Sequence, residues 1–253
     1  MRVPGSTAAT VLLLYLLLWL FSILLSLMPF MERHRNDHEE QLENLSFTLR
    51  PLPDYLPCRC NIDGGRTQII IRPLRRDEVG HFYAAMKEAA ETGNGYGFDE
   101  LPGLAYFVRW YVDDLYNLVF ELPTPEAKEQ TAVIGYTNFG PSVYTRSRIH
   151  PALFDGNIVL RPEFRVRGWF HDLTEIRKGI VVDHGIRGFF EDSAVINVQA
   201  TRTMRRSGAL VCGCIPRYVY IRHHGFIDGV LYYKPLDQTH SFKLNNTTML
   251  SKI

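Results

Sequence analysis

Three carboxylates bracket a glycine-rich run: Glu91, then Gly93-Asn94-Gly95-Tyr96-Gly97, then Asp99 and Glu100. Carboxylates in such a loop can accept or deliver protons at a neighbouring cleft. The same residues also make an ordinary solvated, turn-forming acidic loop, and both readings stand at this level. Further along, Ile158-Val159-Leu160 is followed by Arg161-Pro162 and then by Arg165-Val166-Arg167-Gly168-Trp169-Phe170, where a helical pattern opens. Arg202, Arg205 and Arg206 recur at three-to-four spacing, as a grip for phosphates or as a solvated basic face. Cys58, Cys60, Cys212 and Cys214 form two Cys-x-Cys pairs, too closely spaced for the usual zinc site, so free thiols on strands or in a strand-flanking loop are expected and no metal. His223-His224 has no matching carboxylate cluster and reads as a loop. Asp155 before Gly156 reads as a turn residue, and Tyr218 and Tyr220 as packing on or beside a strand.

These residues need a scaffold, and the periodicities supply one. Thr67 to Arg72 is a β-branched strand. Arg76 to Glu91 carries Val79, Phe82, Tyr83, Met86 and Ala90 at helical spacing, and Leu104 to Tyr116 is a second helix with a core stripe of Phe107, Trp110 and Tyr111. Strands follow at Asn117–Leu122, Thr131–Phe139 and Asn157–Leu160. A helix is expected from Gly168 to His184, a strand over Ser193–Asn197, a short helix over Val198–Ser207, and strands at Ala209–Ile215 and Gly229–Lys234. The order predicts an α/β domain with a mixed sheet and helices on both faces.

No charged residue lies between Val3 and Met31, and the stretch from Val11 to Met28 is almost wholly apolar. A helix of about 20 apolar residues crosses a bilayer. The stretch is longer than a secretory signal core and no Ala-x-Ala site follows, so it reads as a retained single-pass anchor. The expected organisation is an anchor at 1–31, a proline-containing linker at 32–66, the domain at 67–236 and a tail at 237–253. Across 253 residues, 28 Lys+Arg balance 27 Asp+Glu for a net charge of +1, which carries no electrostatic footprint for a nucleic acid partner.

From Gln68 to Leu236 the element order and three short segments resemble the GNAT acetyltransferase superfamily. The strand, the Pro162-Glu163-Phe164 turn and Arg165-x-x-Gly168 follow its pattern, with Phe170 where the family has Gly or Ala. Asn197-x-x-Ala200 continues it, with Met204 where many members carry the Tyr that protonates the departing thiolate, a phenol that Tyr218 or Tyr220 would have to replace if they are not simply packing. The third segment is Glu91 to Glu100 with Asn138-Phe139-Gly140-Pro141 later. The resemblance implies a GNAT-like, mostly antiparallel central sheet behind one transmembrane helix, and acetyl-CoA as co-substrate for transfer to a small amine acceptor.

In that layout the amides of Arg165, Val166, Arg167, Gly168, Trp169 and Phe170 cup the coenzyme's diphosphate, because a helix start has unpartnered N–H groups and a partial positive charge. The Leu160 N–H would polarise the thioester carbonyl. Asn197 would hold the pantetheine arm. Glu91, Asp99 or Glu100 would take the proton that an alkyl ammonium must lose. The cytosolic supply of acetyl-CoA makes a cytosolic domain, rather than a lumenal one, the expectation. The alternative implied by Phe170 and Met204 is a catalytically weakened acyl-CoA-binding or regulatory module at a membrane.

Overall fold

The computed structural model describes residues 51–92, 101–123, 131–142, 153–221 and 223–245. The apolar segment at 3–31 and the loop holding Asp99 and Glu100 lie outside these residues. Among the described residues no helix is long and apolar enough to cross a membrane.

Eight strands form one sheet: β1 Cys58–Ile62, β2 Thr67–Pro73, β3 Tyr116–Pro123, β4 Thr131–Pro141, β5 Leu153–Leu160, β6 Gly188–Ala194, β7 Leu210–Ile221 and β8 Gly225–Pro235. Their order across the sheet is β1-β2-β3-β4-β5-β6-β8-β7. Every neighbouring pair is antiparallel except β5 with β6. The first strand is a correction, since it lies inside the segment expected to be linker. Cys58, Cys60 and Ile62 alternate inward with Arg59 and Asn61 between them, and Cys58 pairs with Ile71. The prolines that mark a spacer end just before it. The expected tail is also partly integrated. Asp183 accepts hydrogen bonds from Tyr55 Oη (2.7 Å), Ser241 Oγ (2.5 Å) and the Lys243 N–H (3.0 Å), and Phe242 is buried.

The two faces of the sheet are covered separately. On one lies α3, Phe170–Asp183, whose Leu173, Ile180 and Val181 meet Phe154, Ile158, Leu160 and Phe189. On the other lie α1, Val79–Glu91, and the short α2, Leu104–Phe107. There Phe82 packs its ring 5.2 Å from both Phe107 and Tyr136, beside Val119 and Val159. Each such ring contributes about 1.5–3 kcal/mol by leaving water. The helix expected from Leu104 to Tyr116 is shorter. After Phe107 the turns widen into a π-type segment at Val108–Asp113. Widening rotates the stripe, so Phe107 is core whereas Trp110 is about half exposed. Asn117 Nδ2 fixes the end of the segment by donating to the Val112 and Leu115 carbonyls.

The strands around the centre are displaced from their expected bounds. β5 begins at Leu153, because Phe154, Ile158 and Leu160 face one side while Asp155, Asn157 and Val159 face the other. Asp155-Gly156 is therefore strand, not turn. β6 runs from Gly188 to Ala194 and ends before Asn197, which instead caps α4, Val198–Arg206, by accepting from the Ala200 N–H at 3.0 Å.

Candidate active site in the fork between two parallel strands

β5 and β6 pair only at Leu153–Gly188 and Phe154–Phe189, and beyond that they part. On its other edge β5 stays bound to β4. Ser142 N–H donates to the Leu153 carbonyl at 3.0 Å, Asn157 N–H to Asn138 Oδ1 at 3.1 Å, and Arg161 N–H to the Ile134 carbonyl at 2.9 Å. Backbone groups of an antiparallel strand alternate in direction. The odd-numbered ones face β4, so the N–H groups of Gly156, Ile158 and Leu160 face the fork.

A cavity of about 250 Å³ fills the fork. Gly156 and Ile158 line it from β5, Asp192 and Glu191 from β6, Phe170 and Arg177 from α3, and Asn197 and Met204 from the α4 end. Its floor is charged. The Arg177 guanidinium pairs with Glu191 and lies 4.5 Å from the centroid of the Phe189 ring. Burial pushes the Glu191 carboxyl up, and Arg177 and Lys178 offset part of that push. Lys178, itself held below the ordinary lysine range by burial, donates to Ser207 Oγ at 3.1 Å.

Asp155 stands at the apex of the fork, one residue before Gly156, on the α1 face of the sheet. Burial first, then the like charges of Asp192 and Glu191, raise its pKa to about 7; Arg177 and a hydrogen bond with Ser142 pull the other way. Tyr111, from the π-type segment, shares this electrostatic environment. Burial, and then Tyr106, Asp155 and Asp192, hold its phenol up at about 12. Asp155 is not itself among the residues lining the cavity but stands behind Gly156 and Asp192, which are; a carboxyl that changes charge near pH 7 there is suited to passing a proton through water.

The residues singled out from sequence fall into three groups. Asn197 and Phe170 line the cavity, Asn197 with its side-chain oxygen engaged in the cap and Phe170 with its ring between the cavity and the core. Gly168 has φ 78°, a left-handed conformation that suits glycine, and a side chain there would meet nothing, so the turn is open to a ligand. Its neighbours are arranged otherwise than expected. Pro162–Arg167 is a 3-10 segment and α3 starts only at Phe170. The amides that a helix start leaves available are therefore those of Phe170, His171 and Asp172, which meet the expected Arg165–Phe170 span only at Phe170. Val166 is nearly fully exposed, and Trp169 is buried against Phe164, its ring capped by Arg167 at 5.3 Å.

Three expectations are corrected. Leu160 lies at the outer end of β5, outside the cavity lining, and its carbonyl accepts from Arg165 Nε at 2.9 Å. Ile158, two residues earlier on the same edge of β5, lines the cavity instead. The Arg165 side chain is not presented to a phosphate. Its guanidinium pairs with Glu88 of α1, with Nη1 3.1 Å from Oε1, and so clamps α1 to the turn after β5. Glu91 is half exposed at the end of α1, 3.8 Å from Lys87, and does not reach the fork. Glu88, Asp155 and the Arg177–Glu191 pair were not foreseen. The alternation of Phe154, Ile158 and Leu160 with Asp155 and Asn157 is the signal that could have found Asp155. No group of His, Cys, Asp or Glu suited to a metal occurs among the described residues, and all four cysteines are free thiols, Cys58 and Cys60 buried, Cys212 and Cys214 exposed.

The Arg165–Glu88 clamp makes a prediction. If the fork takes the coenzyme that the resemblance implies, Arg165→Ala and Glu88→Ala should each weaken its binding about 3- to 10-fold, and the double variant should do no worse than the singles, because both remove one interaction. Calorimetric dissociation constants for the three proteins check it. A phosphate contact by Arg165 would instead make that variant much the weaker.

No family model matches the sequence, and no curated protein matches it. Solved structures do. The chain is similar to a GCN5-related N-acetyltransferase from Kribbella flavida, at 16% identity and TM-score 0.56 over 66% of this chain and 98% of that one. It is similar to a protein from Salmonella typhimurium solved with its cofactor acetyl-CoA, at 15% identity and TM-score 0.54 over 67% and 95%. It is also similar to spermidine N-acetyltransferase from Vibrio cholerae in complex with CoA and spermine, at 13% identity and TM-score 0.53 over 66% and 95%. Nearly the whole of each of these proteins is matched, so the domain of this chain has the fold of the GNAT N-acetyltransferases.

Proposed function

We propose that the protein is a membrane-anchored acetyltransferase that moves an acetyl group from acetyl-CoA to an amine. The observation that carries this reading is the fork itself: two parallel strands that part after two residue pairs, amides on the open edge of β5, and a titrating carboxyl at the apex. The pantetheine arm would lie between β5 and β6, its diphosphate near Gly168 and the first turn of α3. The Ile158 N–H would take the thioester carbonyl as charge develops on its oxygen. Asp155, with Asp192 beside it, would receive the ammonium proton, directly or through a water. The charge-free segment at 3–31 supports an anchor, and the supply of acetyl-CoA supports a cytosolic domain.

Phe170 favours a second reading, because its ring occupies part of the cavity wall that a glycine would leave open. In that case the domain binds an acyl-CoA without turning it over. The full chain in detergent micelles separates the readings. Calorimetry with acetyl-CoA, and thiol release with a panel of amines, should show both binding and turnover. Binding alone would support the module, and neither would remove both. Phe170→Gly should tighten coenzyme binding about tenfold if the ring narrows the site. Protease protection in sealed vesicles tests the anchor and the side on which the domain lies.

A further inference from the structure

β7 is bent out of register just where it passes the cavity. Ile215 pairs with Gly229 and Val219 with Ile227, so Pro216, Arg217 and Tyr218 together face the single residue Asp228. Three features hold this double bulge. Pro216 has no N–H to offer a ladder. Arg217 adopts φ 53°, unusual for a residue with a side chain, and its N–H is taken by Asp228 Oδ1 at 2.9 Å. The Arg217 guanidinium lies 4.6 Å from the centroid of the Phe226 ring. The result is to turn Tyr218 across β8 and into the cavity wall. Its ring lies so close over Gly229 that a β-carbon there would sit 2.4 Å from Tyr218 Cγ and 2.5 Å from Cδ1. Only glycine at 229 allows the ring this position.

A strained bulge, a backbone cap and a bare glycine together place Tyr218 in the wall of the same cavity that Met204 lines. A thioether has no proton to give, whereas a phenol near pKa 10 keeps its proton at neutral pH. We infer that Tyr218 is the acid that protonates the departing thiolate of coenzyme A. This rests on the acetyltransferase reading above. An amine that has lost its ammonium proton attacks the thioester carbon, the C–N bond forms and the carbonyl pair moves onto oxygen. When that pair returns, the C–S bond breaks and sulfur takes the Tyr218 proton. The proton that nitrogen gives up in becoming an amide balances the one that the phenolate regains from water.

The charged groups sharing the cavity are Arg177 from α3 and Glu191 and Asp192 from β6, with Lys178 behind Glu191 and Arg217 and Asp228 beside the bulge. Carboxylates do not titrate in the alkaline range and guanidinium groups lie above it. Ionisation of the acceptor amine raises the rate with pH. A fall in kcat at high pH then belongs to Tyr218 or to Lys178, and replacing the tyrosine separates them.

The test uses the full chain in detergent. Tyr218→Phe, which keeps the ring on Gly229, should bind acetyl-CoA within about twofold of the parent by calorimetry. It should lose roughly 10²-fold in kcat, and lose the alkaline limb of the kcat profile. Tyr218→Phe combined with Met204→Tyr, which puts a phenol back from α4, should recover at least tenfold. Unchanged kcat with the alkaline limb intact overturns the inference. So does a variant that loses coenzyme binding, which would make Tyr218 a packing residue, or the absence of any rescue. A parent protein that neither binds acetyl-CoA nor releases thiol would defeat the acetyltransferase reading instead, before any variant is made.

Discussion

Asp155→Asn should lower kcat/KM for amine acetylation by roughly 10²- to 10³-fold and abolish the acidic limb of its pH profile. The parent limb should fall near pH 7, where burial and the neighbouring charges of Asp192 and Glu191 place the Asp155 carboxyl. Below that pH the carboxyl holds its proton and has no capacity to take one from an ammonium. Above it, the carboxylate is free to do so. Asn has the same shape and no such change of charge, so what activity remains should follow only the ionisation of the amine. Asp192→Asn tests the coupling from the other side. Removing that like charge should move the parent limb to lower pH, since Asp155 then loses its proton more easily. A limb that stays near 7 in both variants would assign it to another group.

Stability should move in the opposite direction to activity. The Asp155 pKa is raised in the folded chain from 3.8 to about 7, so between those values the folded state binds more protons than the unfolded one. Folding free energy therefore weakens as pH rises through this window, and below about pH 4 the effect is absent. Asp155→Asn should be more stable than the parent at pH 8 by on the order of 1–3 kcal/mol and close to it at pH 4. Urea midpoints at the two pH values measure this. A carboxyl that destabilises the fold at neutral pH and stands at the apex of the fork is what a stability–activity trade-off produces.

The parts of the molecule readable from sequence are those where one period dominates. Val79, Phe82 and Met86 announce α1, and Ile69, Ile70 and Ile71 announce β2, because burial of one face sets their spacing. Pro162 and the helical pattern beyond it mark the turn between β5 and α3, although α3 opens at Phe170 rather than at Gly168. The failures come from residues whose role is tertiary. Cys58 and Cys60 look like part of a spacer until Ile71 and Ile69 are set opposite them. Asp155-Gly156 has turn chemistry locally, and only pairing with Gly140 and Phe139 makes it strand. Glu191 and Asp192 are poor strand formers, and β6 tolerates them because Arg177 reaches one and the fork leaves the other exposed. The resemblance puts Arg165 in the stretch whose amides cup a diphosphate. Glu88, distant in sequence, claims its side chain instead.

Arg177→Leu should cost about 3–5 kcal/mol in folding free energy, whereas Arg177→Leu with Glu191→Leu should come within about 1–2 kcal/mol of the parent. The asymmetry follows from burial. Arg177 is 2% exposed and Glu191 is 10% exposed, so removing the guanidinium strands a carboxylate that water hardly reaches. Lys178 nearby relieves only part of that, because burial disfavours its own charge. The stranded Glu191 should bind a proton instead. The single variant should then recover stability as pH falls toward 4.5, the opposite of a variant that has lost a favourable ion pair at the surface. With both charges gone the leucines fill the space beside Phe189, and no such pH dependence should remain. Chemical denaturation of the parent, both singles and the double closes the cycle, and a double variant as unstable as the single would mean that the pair itself holds the fold. The same double variant should stay inactive although folded, because Arg177 also tempers the pKa of Asp155 and an apolar floor offers nothing to a cationic amine. Folded yet inert is the combination expected if these two charges serve the cavity rather than the core.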